Sequence, residues 1–552
     1  MRAGPCLLLA ALCAACAEDS SRTPPTLTTH VDDWRDEVIY AVMVDRFEDG
    51  DRSNDVLGGV GVDPADLRRH QGGDWRGLRR RLDYIRELGA TAIWISPIVA
   101  NVDRTDAEDG YHGYWASDFT RLNPRFGDLD ELRRLVAAAH DRGLLVIVDV
   151  VTNHTGRVFD YDLDGDGSVG EGEREPPYRE AGYEVPLLWS ELPRLFTADG
   201  VLELSEVHFH RRGRGDFTTP GGKVHGDFPT GLRDLDTERE DVLQGLVETY
   251  VHWVVETDVD GFRIDAVPHV EDAFWPRFAT AVRERLARRG KHRFLLLGEV
   301  FSGDPAELAR YSGETGSLDA AFDFAFKFEV IDGVVLEGRA PATAVGALET
   351  YRALYRPFPQ PGGIGIDPWR ARVGLVDNHD TWRLRGELDR FDAAALALLL
   401  LTTVDAIPCI YYGTEQELRG RGGAESRERM ADTGFRTDTP TYLWLQRLLR
   451  LRRDHEVLRR GALRVRYASE EGGLSEGEDA GLLAYERFAG DDRLLVVVNT
   501  HALKASRAEI PSGFPAGTVL GDLLRGGHWT VAPGGLVDVS LGPRSALLLE
   551  AR

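Results

Sequence analysis

Short apolar runs rich in branched and aromatic residues recur along the chain: "VIYAVMV" (38–44), "TAIWISPI" (91–98), "LLVIVDVV" (144–151), "GFRIDAV" (261–267), "FLLLGEV" (294–300), "LDAAFDF" (318–324), "RVGLVDN" (372–378) and "IPCIYYG" (407–413). Between them lie segments such as "DLDELRRLVAAAHDRG" and "FWPRFATAVRERLARRG", whose apolar residues fall at helical spacing. Eight strands alternating with helices predict an α/β fold with a parallel (β/α)8 TIM barrel. A doubly wound sheet alternates in the same way and stays open as the alternative.

Two intervals break the alternation. About 110 residues separate the third and fourth runs, too many for one helical crossover. Residues 155–235 are rich in Gly, Asp, Glu, Arg and Pro, and read as an inserted subdomain. From 457 to 552 the pattern becomes "GLLAYERFA", "RLLVVVNT", "GLVDVSL" and "SALLLEA", separated by Gly, Pro and Asp turns. That predicts a C-terminal antiparallel β domain, leaving 34–456 for the barrel.

Composition narrows the partners. The chain has 552 residues, 42% hydrophobic and 28% charged, with a formal net charge of −25. Nothing in that balance would neutralise phosphates, so no nucleic-acid partner is expected. A neutral glycan is compatible with it, as is a plain role in solubility. The first sixteen residues form a leader: Arg2, the apolar run Leu7 to Leu12, then Ala14, Ala15 and Cys16. It reads as a secretory signal, too short to span a membrane. It also resembles a lipoprotein signal in which Cys16 is lipidated, so export with lipid anchoring at the cell envelope is expected. Residues 17–33 read as a polar tether. Of four cysteines only Cys409 lies outside the leader, which leaves no intrachain disulfide after processing. A monomer is expected.

Polar groups gather where barrel strands should end, the place where such folds carry catalytic residues. The third run leads into Asn153 and His154, and the fourth carries Arg263, Asp265 and His269. The fifth reaches Glu299, and the seventh continues into His379 and Asp380. A single acid at a strand end is more often structural. Three acids and two histidines converging on one mouth point to chemistry.

These segments, "DVVTNH", "GFRIDAVPH", "GEV" and "DNHD", together with "YHGYW" (111–115), "LRDLD" (232–236) and "YYGTE" (411–415), resemble the α-amylase family of glycoside hydrolases in order and separation. The resemblance spans about 38–460. It implies a barrel with a subdomain inserted after strand three. It also implies that Asp265 is the nucleophile, Glu299 the general acid/base and Asp380 a transition-state stabiliser, with Arg263 keeping Asp265 ionised. His154 and His379 would bind sugar hydroxyls, Tyr114 would stack on a sugar ring and His112 would line the same subsite. Two carboxyl groups fit the chemistry, because one attacks the anomeric carbon while the other protonates the leaving oxygen. One departure stands out. Many α-amylases have lysine where this chain has Pro268, which puts the leaving-group subsites in question.

The expected cofactor is Ca²⁺. In "DYDLDGDGSVGEGE" (160–173), Asp162, Asp164, Asp166, Gly167 and Glu173 fit D-x-D-x-D-G-x5-E, with Ser168 at the seventh place. The resemblance implies two further calcium sites. One comprises Asp49, Asp51, Asn54, Asp55, Asp74 and the carbonyl of Gly72, as in cyclodextrin-forming relatives. The other comprises Asn153, Asp234 and the carbonyl of His269, bridging barrel and insert. The expected activity is retaining hydrolysis of α-1,4-glucosidic bonds in starch or maltooligosaccharides. The alternatives are a glucanotransferase, or a cyclodextrin-degrading relative, and a non-catalytic glycan-binding protein. The absence of starch-binding modules after the β domain speaks for the hydrolase, and the retention of all three acids speaks against the non-enzyme.

Overall fold

In the computed structural model, which describes residues 26–313, 318–387 and 390–552, the eight apolar runs each contribute a parallel strand. They are Ile39–Val42 (β1), Ala92–Ile95 (β2), Leu145–Val150 (β3), Gly261–Ile264 (β4), Leu295–Gly298 (β5), Ala320–Ala321 (β6), Val373–Leu375 (β7) and Ile407–Tyr411 (β8). Their order in the sheet is β6-β5-β4-β3-β2-β1-β8-β7. A further parallel bridge between Phe322 and Val373 joins the two edge strands. The sheet therefore closes on itself, and the doubly wound alternative falls. Every strand residue is buried, because helices cover the outside of the barrel and side chains fill its interior.

The register of β3, β4 and β5 prepares the site. Arg263 lies opposite Asp149 on β3 and opposite Leu297 on β5. Side chains alternate across a strand, so Asp265 and Glu299, each two residues further on, rise on the same side of the sheet. The amide of Glu299 donates to the carbonyl of Ile264 (2.8 Å), which keeps the two strand ends level.

After β3 the chain leaves the barrel. His154–Thr155 pairs antiparallel with Arg233–Asp234 at the root of the insert. Between them, Phe159–Tyr161 pairs with Leu187–Trp189, and Arg194–Thr197 with Gly200–Glu203. At the C-terminus the helix Glu456–Arg460 precedes the first strand of the β domain, Ala462–Ala468 (β9). Leu482–Ala489 (β10), Asp492–Asn499 (β11), Ser506–Pro511 (β12), Val519–Asp522 (β13), His528–Thr530 (β14), Leu536–Leu541 (β15) and Ser545–Ala551 (β16) follow. Six form one antiparallel sheet, β9-β10-β11-β16-β13-β14, and β12 pairs with β15. The period-two pattern splits between two cores. Leu483, Tyr485, Val496, Val498 and Leu548 pack with the barrel. Leu482, Ala484, Leu495, Val497, Leu547 and Leu549 pack instead with Ile510, Val537 and Val539.

The leader call at 1–16, including Cys16, lies outside the described residues. The tether expected over 17–33 meets the barrel earlier than its polar composition suggests. The amide of Thr28 donates to Asp258 (3.1 Å), and His30 Nε2 lies 2.9 Å from the same carboxylate. Polar side chains here bind an acid at the barrel's base, an interaction that hydropathy does not register. Among the described residues, no helix is long and apolar enough to cross a membrane.

Candidate active site

Arg263 is the hub of the barrel mouth. Its side chain is 1% exposed. Nη1 donates to Asp149 Oδ1 (2.9 Å) and Asp265 Oδ1 (2.8 Å), and Nη2 lies 2.7 Å from Glu299 Oε1. One guanidinium thus serves three carboxyl groups. Only a planar fork of five donors can do this. Directly after Asp265 the backbone turns sharply: Ala266 adopts φ 51°, a left-handed conformation unusual for a residue with a side chain. The turn leads into Val267–His269 and aims the amide of Ala266 at Glu299 Oε2 (3.2 Å). Strain is thus spent on fixing the second acid.

Burial pushes the Glu299 carboxyl up to about 7; Arg263 opposes this, while Asp265 and Asp380 add to it. Burial also raises Asp265, with Arg263 and a hydrogen bond from Glu299 pulling the other way. Arg263 therefore opposes protonation of Asp265 without cancelling the cost of burial, a correction to the simpler expectation that it keeps this acid ionised. Glu299 pulls the same way as Arg263, yet burial still leaves the Asp265 carboxyl raised on balance.

Asp380 is the most open of the three acids, with 37% of its side chain exposed. Partial burial pushes its carboxyl up, but His379, Arg427 and Arg263 outweigh this and hold it well below the usual range. His379 Nε2 is 3.0 Å from Oδ2, and Arg427 Nη2 donates to Oδ1 (3.1 Å). Tyr114 reaches the same cluster: its hydroxyl donates to Asp149 Oδ2 (2.8 Å) and lies 3.1 Å from His379 Nε2. Its ring is nearly parallel to those of His379 and His112. His112 Nδ1 accepts the Tyr114 amide (3.0 Å). Burial, with Arg427 and His379, holds His112 well below the usual imidazole range. His154 lies 3.2 Å from the Tyr114 carbonyl, and burial lowers it to about 4, so it is neutral. Tyr114, His112, His154, Arg263 and His379 therefore lie in one connected network with the three acids.

Two members of that network escaped the sequence reading. Asp149 accepts from Arg263, Tyr114 and, through Oδ2, Trp94 Nε1 (3.1 Å). Its signal was a lone carboxylate inside "LLVIVDVV". Arg427 comes from the loop after β8, and nothing in its neighbourhood marks it.

The calcium candidates fare differently. At 160–173, Asp162, Asp164 and Glu173 bring one oxygen each within 4.8 Å of one another. Asp162 Oδ1 is buried without a hydrogen-bond partner. Glu173 accepts from the amides of Leu163 and Gly170 (2.5 Å each), which folds the loop around it. Gly167 sits at φ 79°, the sharp turn such loops place at the sixth position. The donor set fits a hard cation. Asp166 is not brought into that group: its Oδ1 accepts from both the amide and hydroxyl of Ser168.

At the first barrel loop, Asp49 and Asp55 each bury an oxygen that has no partner. Burial, then Asp49 and Asp74, raises Asp55 to about 6. Three crowded acids of this kind fit a cation. Gly72 lies against them: a Cβ there would stand 2.7 Å from Asp55 Oδ1. Asp74 is occupied as a helix cap, accepting from Gly77, Gly50 and Asp51. Asp51 accepts from Ser53 and Arg76, while Asn54 lines the adjoining cleft. At the bridging site, the backbone pairing sets Asp234 beside His154, one residue from Asn153. Burial, Glu271 and Asp227 push Asp234 well above the carboxylate range, a cost that a cation would relieve. His269 Nδ1 lies 2.9 Å from the Lys223 carbonyl, tying the loop after β4 to the insert.

Comparison with known proteins agrees with this geometry. Residues 41–180 and 224–439 match the family model for the alpha amylase catalytic domain. An alpha-amylase of Streptomyces lividans is 33% identical over 89% of this chain, which spans 58% of that relative's length. The alpha-amylase of Geobacillus thermoleovorans, solved with acarbose, superposes with TM-score 0.70 at 27% identity, covering 95% of this chain and 99% of that one. A cyclomaltodextrin glucanotransferase with a three-domain ABC distribution superposes with TM-score 0.75 at 27% identity, covering 94% and 99%. The closed barrel, its inserted segment and the matched 41–180 and 224–439 together place the chain in the alpha-amylase family.

Proposed function

We propose that this chain is a retaining α-glucan hydrolase that cleaves α-1,4-glucosidic bonds in starch or maltooligosaccharides by double displacement. The observation that carries the reading is Arg263 holding Asp265 and Glu299 side by side with Asp380 at the rim. Glu299, with its carboxyl near 7, is protonated when substrate arrives and gives its proton to the leaving oxygen. Asp265 attacks the anomeric carbon, and Arg263 stabilises the carboxylate before attack and after its release. Glu299, now ionised, removes a proton from the incoming water. Asp380, held ionised by Arg427 and His379, faces the positive charge that develops on the ring. Asp265→Asn and Glu299→Gln are each expected to reduce reducing-sugar release from soluble starch by several orders of magnitude with unchanged circular dichroism. Near-normal activity in either folded variant rejects the assignment.

Transfer to a sugar hydroxyl is the second reading. The argument against it from missing starch-binding modules loses its force, because a solved glucanotransferase with only three domains is covered over 99% of its length. Product profiles on starch and cyclodextrins separate the two. We further propose Ca²⁺ at the three oxygen-lined groups, where it would cross-link loops around the cleft and leave the chemistry to the acids. Its bridging ligands would be Asn153, Asp234 and the carbonyl of His269. Export and anchoring through Cys16 remain part of the proposal, resting on the leader's pattern.

A further inference from the structure

A second group of metal-type ligands adjoins the proposed bridging calcium site at the same junction. His210, His225, Glu238 and Glu271 each offer one ligand atom, all within 4.8 Å of one another. His210 and His225 come from the insert, Glu271 from the loop after β4, and Glu238 from the turn before the helix Glu240–Thr257.

His210 is the decisive member. Its side chain is only 6% exposed. Nδ1 lies 2.6 Å from Asp234 Oδ2, which engages that nitrogen and turns Nε2 toward the other three groups. That buried Nε2 has no hydrogen-bond partner. It points among Asp236 Oδ1 at 3.5 Å and Glu271 Oε1 at 3.7 Å. Glu271 Oε1 is itself buried without a hydrogen-bond partner of good geometry, and His225 Nε2 lies 3.3 Å from it. The two imidazole rings are 4.6 Å apart between centroids. A carboxylate behind a histidine whose other nitrogen is unpartnered is the arrangement that orients imidazole toward a metal.

We propose that His210, His225, Glu271 and Glu238 form a binding site for a Zn²⁺-type transition-metal ion. Two imidazole nitrogens select against Ca²⁺, which takes oxygen ligands, and favour a borderline cation. Metal–ligand bonds of about 2.0–2.1 Å put tetrahedral ligand atoms about 3.3 Å apart, so binding draws the four groups inward. Glu238 is solvent-exposed and provides the entry path. The ion would pin the insert to the loop that carries His269, four residues from Asp265. Because Asp234 supports His210 and is also a proposed calcium ligand, the two sites share one carboxylate.

The test uses the full chain, stripped of metal and reloaded with Ca²⁺. Titration with Co²⁺ is expected to give one equivalent of bound metal with the visible absorption of a low-coordinate nitrogen–oxygen site, displaced by Zn²⁺. His210→Gln and His225→Gln should each weaken Co²⁺ binding at least about tenfold. Bound calcium should stay unchanged by elemental analysis, and Asp162→Asn should leave the Co²⁺ titration unaltered. Glu238→Gln changes only an exposed side chain, so it reads out the site even where a histidine variant fails to fold; it too should weaken binding. No stoichiometric Co²⁺ or Zn²⁺, or equal affinity in Glu238→Gln and in a folded His210→Gln/His225→Gln variant, overturns the proposal.

Discussion

Arg263→Gln probes the electrostatic hub directly. Arg263 is buried, lies 2.8 Å from Asp265 and 2.7 Å from Glu299, and its charge lowers both carboxyls. A unit charge about 4 Å from a carboxylate contributes about 4 kcal/mol at an effective dielectric constant of 20, equal to about three pKa units. Water entering the vacated space reduces that ceiling, and both acids are expected to rise when the cation is removed. The nucleophile must be ionised, so the acid limb of kcat/KM moves to higher pH. The acid/base must be protonated, so the alkaline limb moves the same way. The whole profile should slide upward and its maximum should fall at least about a hundredfold, since glutamine cannot bridge both acids. Losing the partner of buried carboxylates should also cost about 3–5 kcal/mol of stability, so rates are read well below the variant's melting temperature. The assay is the pH–rate profile on a chromogenic maltooligosaccharide. A variant whose acid limb stays in place refutes the claim that Arg263 sets the ionisation of Asp265.

In the unmodified enzyme, activity should fall as pH rises through about 7, because Glu299 is pushed up to that value and must carry a proton; an alkaline limb insensitive to Glu299→Gln in rescue assays with an activated substrate would count against this. Early products followed by NMR should be α-anomers, and β-anomers would exclude double displacement. Chelation should lower melting temperature and starch hydrolysis together: calcium at a hundredfold its Kd contributes about 2.7 kcal/mol. Asp234→Asn should reproduce most of that loss, whereas Asp162→Asn should lower stability with less effect on rate; an enzyme without bound calcium by elemental analysis, and indifferent to chelator, refutes it. Cys16→Ser should move the expressed protein from the membrane to the soluble fraction, and a wild type that mass spectrometry shows to be unlipidated ends that reading.

What could be read from the chain was what repeats locally. Strands announce themselves through runs of residues buried on both faces, and the acids stand where those runs stop. Once β4 and β5 are adjacent and in register, Asp265 and Glu299 come to the same end of the sheet, so strand order and strand ends together were sufficient to place these two acids. Asp149 was hidden by the same logic, because it lies before a strand's end and faces inward. Its role shows only when the register sets it opposite Arg263. Arg427 approaches Asp380 from 47 residues away in sequence, through a loop with no periodicity. The titration of the acids was legible in part. Arg263 two residues from Asp265 suggests an ionised nucleophile, but the cost of burial depends on how completely the surrounding loops exclude water. The His210 group shows this limit most clearly. Its ligands are spread over residues 210–271, at spacings that match no metal-binding motif. They converge because the insert returns to its own root at Arg233–Asp234 and lies against the loop after β4. A site made by such a return is set by where the inserted chain comes back, and single-strand patterns carry no record of that.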